Sequence, residues 1–142
     1  MTSTGTPRLS YLVGRLDRIV RREFVGALEA AGLTLAQYTA LSVLAARPGL
    51  SNAQLARRSL VTPQAMNQAL ANLIDRGLIN RRPHPTKGRV LSVELTRAGY
   101  ETLAQLDSAV DEVEDRLLAP LASDERARLL DSLRRLTGVD QS

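Results

Sequence analysis

Residues 51–78 read SNAQLARRSLVTPQAMNQALANLIDRGL. This stretch holds two helix starts and one helix stop. Ser51 and Gln54 have the spacing of a capping box, in which each side chain satisfies a backbone N–H left free where a helix begins. Thr62 offers a second N-cap, and Pro63 suits the first helical turn, where its missing N–H is no loss. Val61 and Met66 are spaced as a hydrophobic staple. Met66, Ala69, Leu70, Leu73 and Ile74 then form one apolar stripe, and Gly77 with Leu78 supplies a Schellman stop. A short helix, a tight turn and a well-capped second helix are therefore predicted, which is a helix-turn-helix. The second helix has an unusual outer face of Gln64, Asn67, Gln68, Ala71 and Asn72. It is polar but almost uncharged, where a helix that only faces solvent more often carries charge.

Downstream, Leu78–Arg82 and Arg89–Leu95 read as two strands of a hairpin, with Leu91, Val93 and Leu95 expected inward and Val90, Ser92 and Glu94 outward. The connecting loop, Pro83 to Gly88, holds two prolines and a glycine, with cations beside it. Thr96 caps a long helix from Arg97 to about Ala119, whose apolar residues are Tyr100, Leu103, Leu106, Val110, Val113 and Leu117. Pro120 stops it. A last helix from Ser123 to Gly138 is expected to bury Leu129, Leu130, Leu133 and Leu136. Upstream, Leu9, Leu12, Val13, Leu16, Ile19, Val20 and Leu28 keep helical spacing over residues 9–30. Thr34 and Gln37 form another capping box, opening a helix with Leu35, Tyr38, Leu41 and Leu44 on one face. The expected fold is mainly α (α+β), one domain over residues 1–142. A winged helix-turn-helix lobe spans 34–96, between long terminal helices at 9–33 and 97–138. Those termini hold more leucines than one small lobe can bury, which predicts a two-fold interface with a second copy.

Charge sharpens this. The 142-residue chain carries +4 overall. Residues 47–97 hold nine basic and two acidic side chains, a net of +7, which leaves −3 for the flanks. Such segregation points the middle of the chain at an anion. The absence of cysteine excludes disulfides, thiol redox chemistry and Cys-zinc sites, and the single histidine excludes a multi-His metal site within one chain. No cofactor is expected. No apolar run approaches the ~20 residues of a membrane span. Met1 to Arg8 is followed by no hydrophobic segment, so the expected compartment is the cytoplasm. No Ser or Cys nucleophile pairs with a recognisable His-Asp set, so no enzymatic activity is expected. His84 reads as a surface residue between two prolines, and the acids from Asp111 to Asp115 as a solvated face.

Glutamine and asparagine pair bidentately with N6 and N7 of adenine in the major groove, while cations and helix N-termini hold phosphates. Double-stranded DNA is thus the expected partner. Gln64, Asn67, Gln68 and Asn72 are the candidate base readers. Asn52, Arg57, Arg58, Thr62 and Pro63 are candidates beside them, with Arg81, Lys87 and Arg89 on the wing.

The chain resembles the MarR family over about residues 9–138. The resemblance rests on Leu50-Ser51-Asn52-Ala53-Gln54-Leu55-Ala56, on Val61-Thr62-Pro63-Gln64, and on Leu73-Ile74-Asp75-Arg76-Gly77-Leu78-Ile79. The wing Arg81-Arg82-Pro83 to Gly88-Arg89, ending in Leu95-Thr96-Arg97-Ala98-Gly99, completes it. It implies a homodimeric repressor of a palindromic operator, released by small phenolic or aromatic effectors bound between the dimerisation helices and the DNA-binding lobe. It also implies Arg89 as the minor-groove residue. Where the family's wing usually carries Asp, this chain has Lys87. If Lys87 adds a phosphate contact, Lys87→Ala should lower the salt dependence of binding by about one unit of log–log slope. Two alternatives differ in kind: a regulator of the same fold with no small-molecule ligand, controlled by abundance or a protein partner, and a small enzyme.

Overall fold

The computed structural model describes residues 5–59, 61–86 and 88–139. The elements run α1 (Leu9–Glu29), α2 (Leu35–Ala46), α3 (Asn52–Ser59), α4 (Pro63–Asp75), β1 (Ile79–Pro83), β2 (Leu91–Leu95), α5 (Arg97–Leu117) and α6 (Ser123–Thr137).

The ends of these helices follow local chemistry. Both capping boxes form: Thr34 N–H donates to Gln37 Oε1 and Gln37 N–H to Thr34 Oγ1, with the same pair of bonds between Ser51 and Gln54. Thr62 Oγ1 accepts from Ala65 N–H at 3.1 Å. The Schellman stop of α4 is complete, with Leu78 N–H donating to Leu73 O and Gly77 N–H to Ile74 O, both at 2.9 Å. It needs Gly77 at φ +70°, a conformation that costs side-chain-bearing residues strain. Thr96 joins this stop to α5. It donates its hydroxyl to Gly77 O at 2.6 Å and accepts from Gly99 N–H at 3.1 Å. Gly99 is buried so tightly there that a Cβ would collide with the Leu78 carbonyl oxygen.

The main core gathers Leu41 and Leu44 of α2, Leu55 of α3, Met66, Leu70 and Leu73 of α4, and Ile79 and Val93 of the hairpin. All are essentially inaccessible to solvent. A smaller cluster joins Phe24 of α1 to Val110 and Val113 of α5, with Leu35 and Tyr38 of α2 packed against it. The hairpin is antiparallel, in register from Ile79 opposite Leu95 to Pro83 opposite Leu91.

Three expectations are corrected. In β2 Leu91 is exposed and Ser92 is buried. Val93 also bridges to Leu50, so β2 lies between β1 and residues 48–50, which shields the small Ser92 side chain. Leu91 sits farther out, where the hairpin has left the lobe. Tyr100 is likewise exposed rather than part of the α5 core face. The largest correction concerns α6, which buries none of its residues; Leu130, Leu133 and Leu136 all face solvent. The first half of α1 behaves the same way, with Leu9, Tyr11, Leu12, Val13 and Leu16 exposed and only Phe24 and Leu28 buried. These stripes are amphipathic, but none of the described residues of the chain covers them.

Candidate nucleic-acid interface

Every candidate residue outside the hairpin comes from α3, α4 or the turn between them. Thr62 and Pro63 begin α4 at an exposed end whose free N–H groups and positive dipole suit an anion. Gln64, Asn67, Gln68 and Asn72 are all exposed along α4, opposite the buried Met66, Ala69, Leu70 and Leu73.

The structure divides these four amides. Gln64 and Gln68 lie mid-face with no side-chain partner among the described residues. Asn67 and Asn72 lie at the two margins, each held by its oxygen. Asn52 Nδ2 donates to Asn67 Oδ1 at 2.6 Å, and Gln37 Nε2 donates to Asn72 Oδ1 at 2.9 Å. Asn52 is therefore a neighbour of the reading face and bonds to one of its members. Asn72 is fastened to α2.

The cations are divided as well. Arg57 and Arg58 end α3, where positive charge complements the helix dipole. Arg81 and Arg82 lie on β1 and Arg89 in the loop before β2, all exposed. None of these five arginines pairs with a carboxylate among the described residues. Lys87 lies outside the described residues. Arg76 has another task. It donates to Ala31 O at 3.0 Å and Gly32 O at 3.1 Å, closing the end of α1 against the end of α4. Six ion pairs lie on the terminal helices: Asp17–Arg21, Arg22–Glu23, Glu23–Arg116, Arg97–Glu101, Asp115–Arg126 and Asp124–Arg128.

Acids dominate the outer face of α5. The Glu114 carboxyl is held above the usual carboxylate range, first by partial burial and then by repulsion from Asp111 and Asp115. No group of three or more His, Cys, Asp or Glu residues among those described is placed to hold a metal ion. Opposite signs thus gather at opposite parts of the chain, with the amide row on the positive side. That combination is the chemistry of a duplex groove and its flanking phosphates.

Sequence reasoning missed two residues that shape this face. Gln37 was legible only as half of a capping box, and Arg76 only as one more cation. Their second roles join residues 35 and more positions apart, which no local pattern records.

Comparison with known proteins agrees with this geometry. The MarR family model matches residues 31–90. The HTH-type transcriptional repressor Rv2887 of Mycobacterium tuberculosis is 37% identical over 128 residues, covering 90% of this chain and 92% of that protein. The chain belongs to the MarR family. Crystal structures extend the likeness to three dimensions. The Rv2887 complex with DNA has a TM-score of 0.80 at 34% identity, covering 92% of this chain and 98% of that one. The Rv2887 complex with salicylic acid has a TM-score of 0.78 at 36% identity, covering 94% and 98%. The six helices and two-stranded wing described above are thus the MarR winged-helix fold.

Proposed function

We propose that this protein is a homodimeric transcriptional repressor that binds a palindromic DNA operator and responds to a small aromatic ligand. The observation that carries the reading is the set of five exposed arginines, without carboxylate partners among the described residues, around the capped, amide-faced α4. Rv2887, which has been crystallised with DNA and with salicylic acid, supports both halves of it. In this reading α4 enters the major groove through Gln64, Gln68 and Asn67. The α3 end and the α4 N-terminus hold phosphates through Arg57, Arg58, Thr62 and Pro63. Arg81, Lys87 and Arg89 carry the wing to the neighbouring backbone and minor groove. Asn52 supports the reading face, and Asn72 anchors α4 at its far end.

The bare leucines of α1 and α6 supply the second half of the design. Pairing them with a second copy places two α4 helices on one face of the duplex, with half-sites about 10 bp apart or a multiple of it. Among the described residues no helix is long and apolar enough to cross a membrane, and the regulator acts in the cytoplasm, without enzymatic activity.

The test is selection of bound DNA from a random pool, followed by titration with salt. Enrichment of a palindrome, with affinity falling steeply as salt rises, is the expected result. Salt-independent binding with no enriched sequence would overturn it.

One observation favours a regulator without a small-molecule ligand. At the junction of α1, α2 and α5 the chain's own Phe24 and Tyr38 pack with Val110 and Val113, and Tyr38 donates its hydroxyl to Asp107 Oδ1 at 2.7 Å. Release of the operator by salicylate, together with a rise in melting temperature, decides for the ligand-responsive form. No change in either decides for the other.

A further inference from the structure

Residues 30–34 carry the chain from α1, a terminal helix, into α2, the first helix of the lobe, and Gly32 turns there at φ +67°. The far half of α4 grips this turn from both sides. Arg76 donates from Nη2 to Ala31 O at 3.0 Å and from Nη1 to Gly32 O at 3.1 Å. One helical turn earlier, on the same face, Asn72 Oδ1 accepts from Gln37 Nε2 at 2.9 Å, and Gln37 Oε1 in turn accepts from Thr34 N–H. Arg76 is thus tied to the end of α1 and Asn72 to the start of α2. The two ties differ in kind. A single amide bond fixes a distance. A guanidinium that reaches two successive carbonyls through two nitrogens also fixes a direction, because the fork is planar and rigid. Its root is fixed too: Arg76 N–H bonds to Asn72 O, and the Schellman stop follows at once. Neither α1 nor α4 has a basic residue in its last turn, so this one cation serves the negative ends of both helices.

Leu28 and Leu33, on either side of the turn, pack into the main core, but apolar packing is non-directional. The fork lies at the surface, so what it supplies is an angle more than stability. We infer that Arg76 is a positioning residue that fixes the direction of α4 relative to α1 and thereby sets which spacing of half-sites the dimer accepts. The inference rests on the homodimeric, operator-binding reading above. In that dimer α1 is held by the second copy and α4 by its half-site, and Arg76 stands at the joint between them. Adding one base pair between half-sites moves one of them by about 3.4 Å and turns it by about 35° around the duplex. A lobe held at a fixed angle does not follow, so the DNA must be deformed at a cost in affinity. A lobe loosened at the joint follows, and the cost shrinks.

The experiment measures the affinity of the full chain for a series of palindromes. All carry the half-site that the wild type selects from a random pool, with the gap between half-sites changed one base pair at a time. The wild type should favour one gap over its neighbours by about tenfold. Arg76→Ala should reduce that ratio by about threefold or more while selecting the same half-site. Arg76→Lys keeps the charge but not the fork, so it should also flatten the profile; it carries the test if the alanine variant does not fold. A merely structural role for Arg76 would lower affinity at every gap alike and leave the ratio as it was. A folded Arg76→Ala or Arg76→Lys protein with the wild-type profile would therefore overturn the inference, as would a wild type indifferent to the gap, with operator binding intact in both cases. A wild-type protein that enriches no palindrome would bring down the operator-binding reading as well.

Discussion

The winged lobe closes its apolar side chains around Leu41, Leu55, Met66 and Leu70, and leaves Arg57, Arg58, Arg81, Arg82 and Arg89 without carboxylate partners among the described residues. The terminal helices do the reverse. Six of their arginines, Arg21, Arg22, Arg97, Arg116, Arg126 and Arg128, are engaged in ion pairs, while Leu12, Leu16, Leu130, Leu133 and Leu136 stand in solvent. Each region satisfies within the chain more of the kind of group that the other leaves open. The contrast teaches where to look for partners. Unpaired cations call for a polyanion, and uncovered leucines call for another apolar surface.

The comparison breaks most visibly if the α6 leucines are idle. Replacing Leu130 and Leu133 together by Asp should convert a dimer to a monomer in sedimentation. It should weaken operator binding by about 10²–10⁴-fold, because the two half-sites are no longer addressed by one particle. An unaltered dimer would show that these stripes do another job. Next in size is the lobe core. Leu70→Ala should lower stability to urea by about 2–5 kcal/mol, since Leu70 is fully buried. In the monomeric double variant Leu136→Ala should change it by less than about 0.5 kcal/mol, because that side chain touches mainly water.

The charge half of the contrast is sharpened by pairing two arginines. Arg89→Ala should lower the salt dependence of DNA binding by about one unit of log–log slope, and Arg128→Ala should leave it unchanged. The smallest effect concerns Tyr38, where α2 packs against α1 and α5. Burial first, and then the hydrogen bond to Asp107, push the Tyr38 hydroxyl from its ordinary 10.0 up to about 12. The fold holds that proton more tightly than the unfolded chain does. The stabilisation is therefore complete below pH 10 and is lost as pH rises through 12. Unfolding measured across this window should show a downward slope in the wild type that Tyr38→Phe lacks.

Much of the lobe was legible because its signals are local. The capping boxes at Thr34 and Ser51, the N-cap at Thr62 and the Schellman stop at Gly77 each join groups no more than five residues apart, and the structure forms all of them. The candidate interface was legible as a list of residues but not as an arrangement. Four amides share one helix face in the sequence, and only the folded chain brings Asn52 to Asn67 and Gln37 to Asn72. Alternation along β2 also misled at Leu91 and Ser92, because a period of two says which side a residue takes and not whether anything lies on that side.

The sequence by itself determined where helices begin and end, where the apolar stripes run and which segment is positive, since capping, periodicity and charge are properties of near neighbours. Tertiary structure decided which of those stripes are covered, which arginines find a carboxylate partner among the described residues and which amides of α4 are held by a neighbouring helix. Those outcomes depend on contacts between residues far apart in the chain.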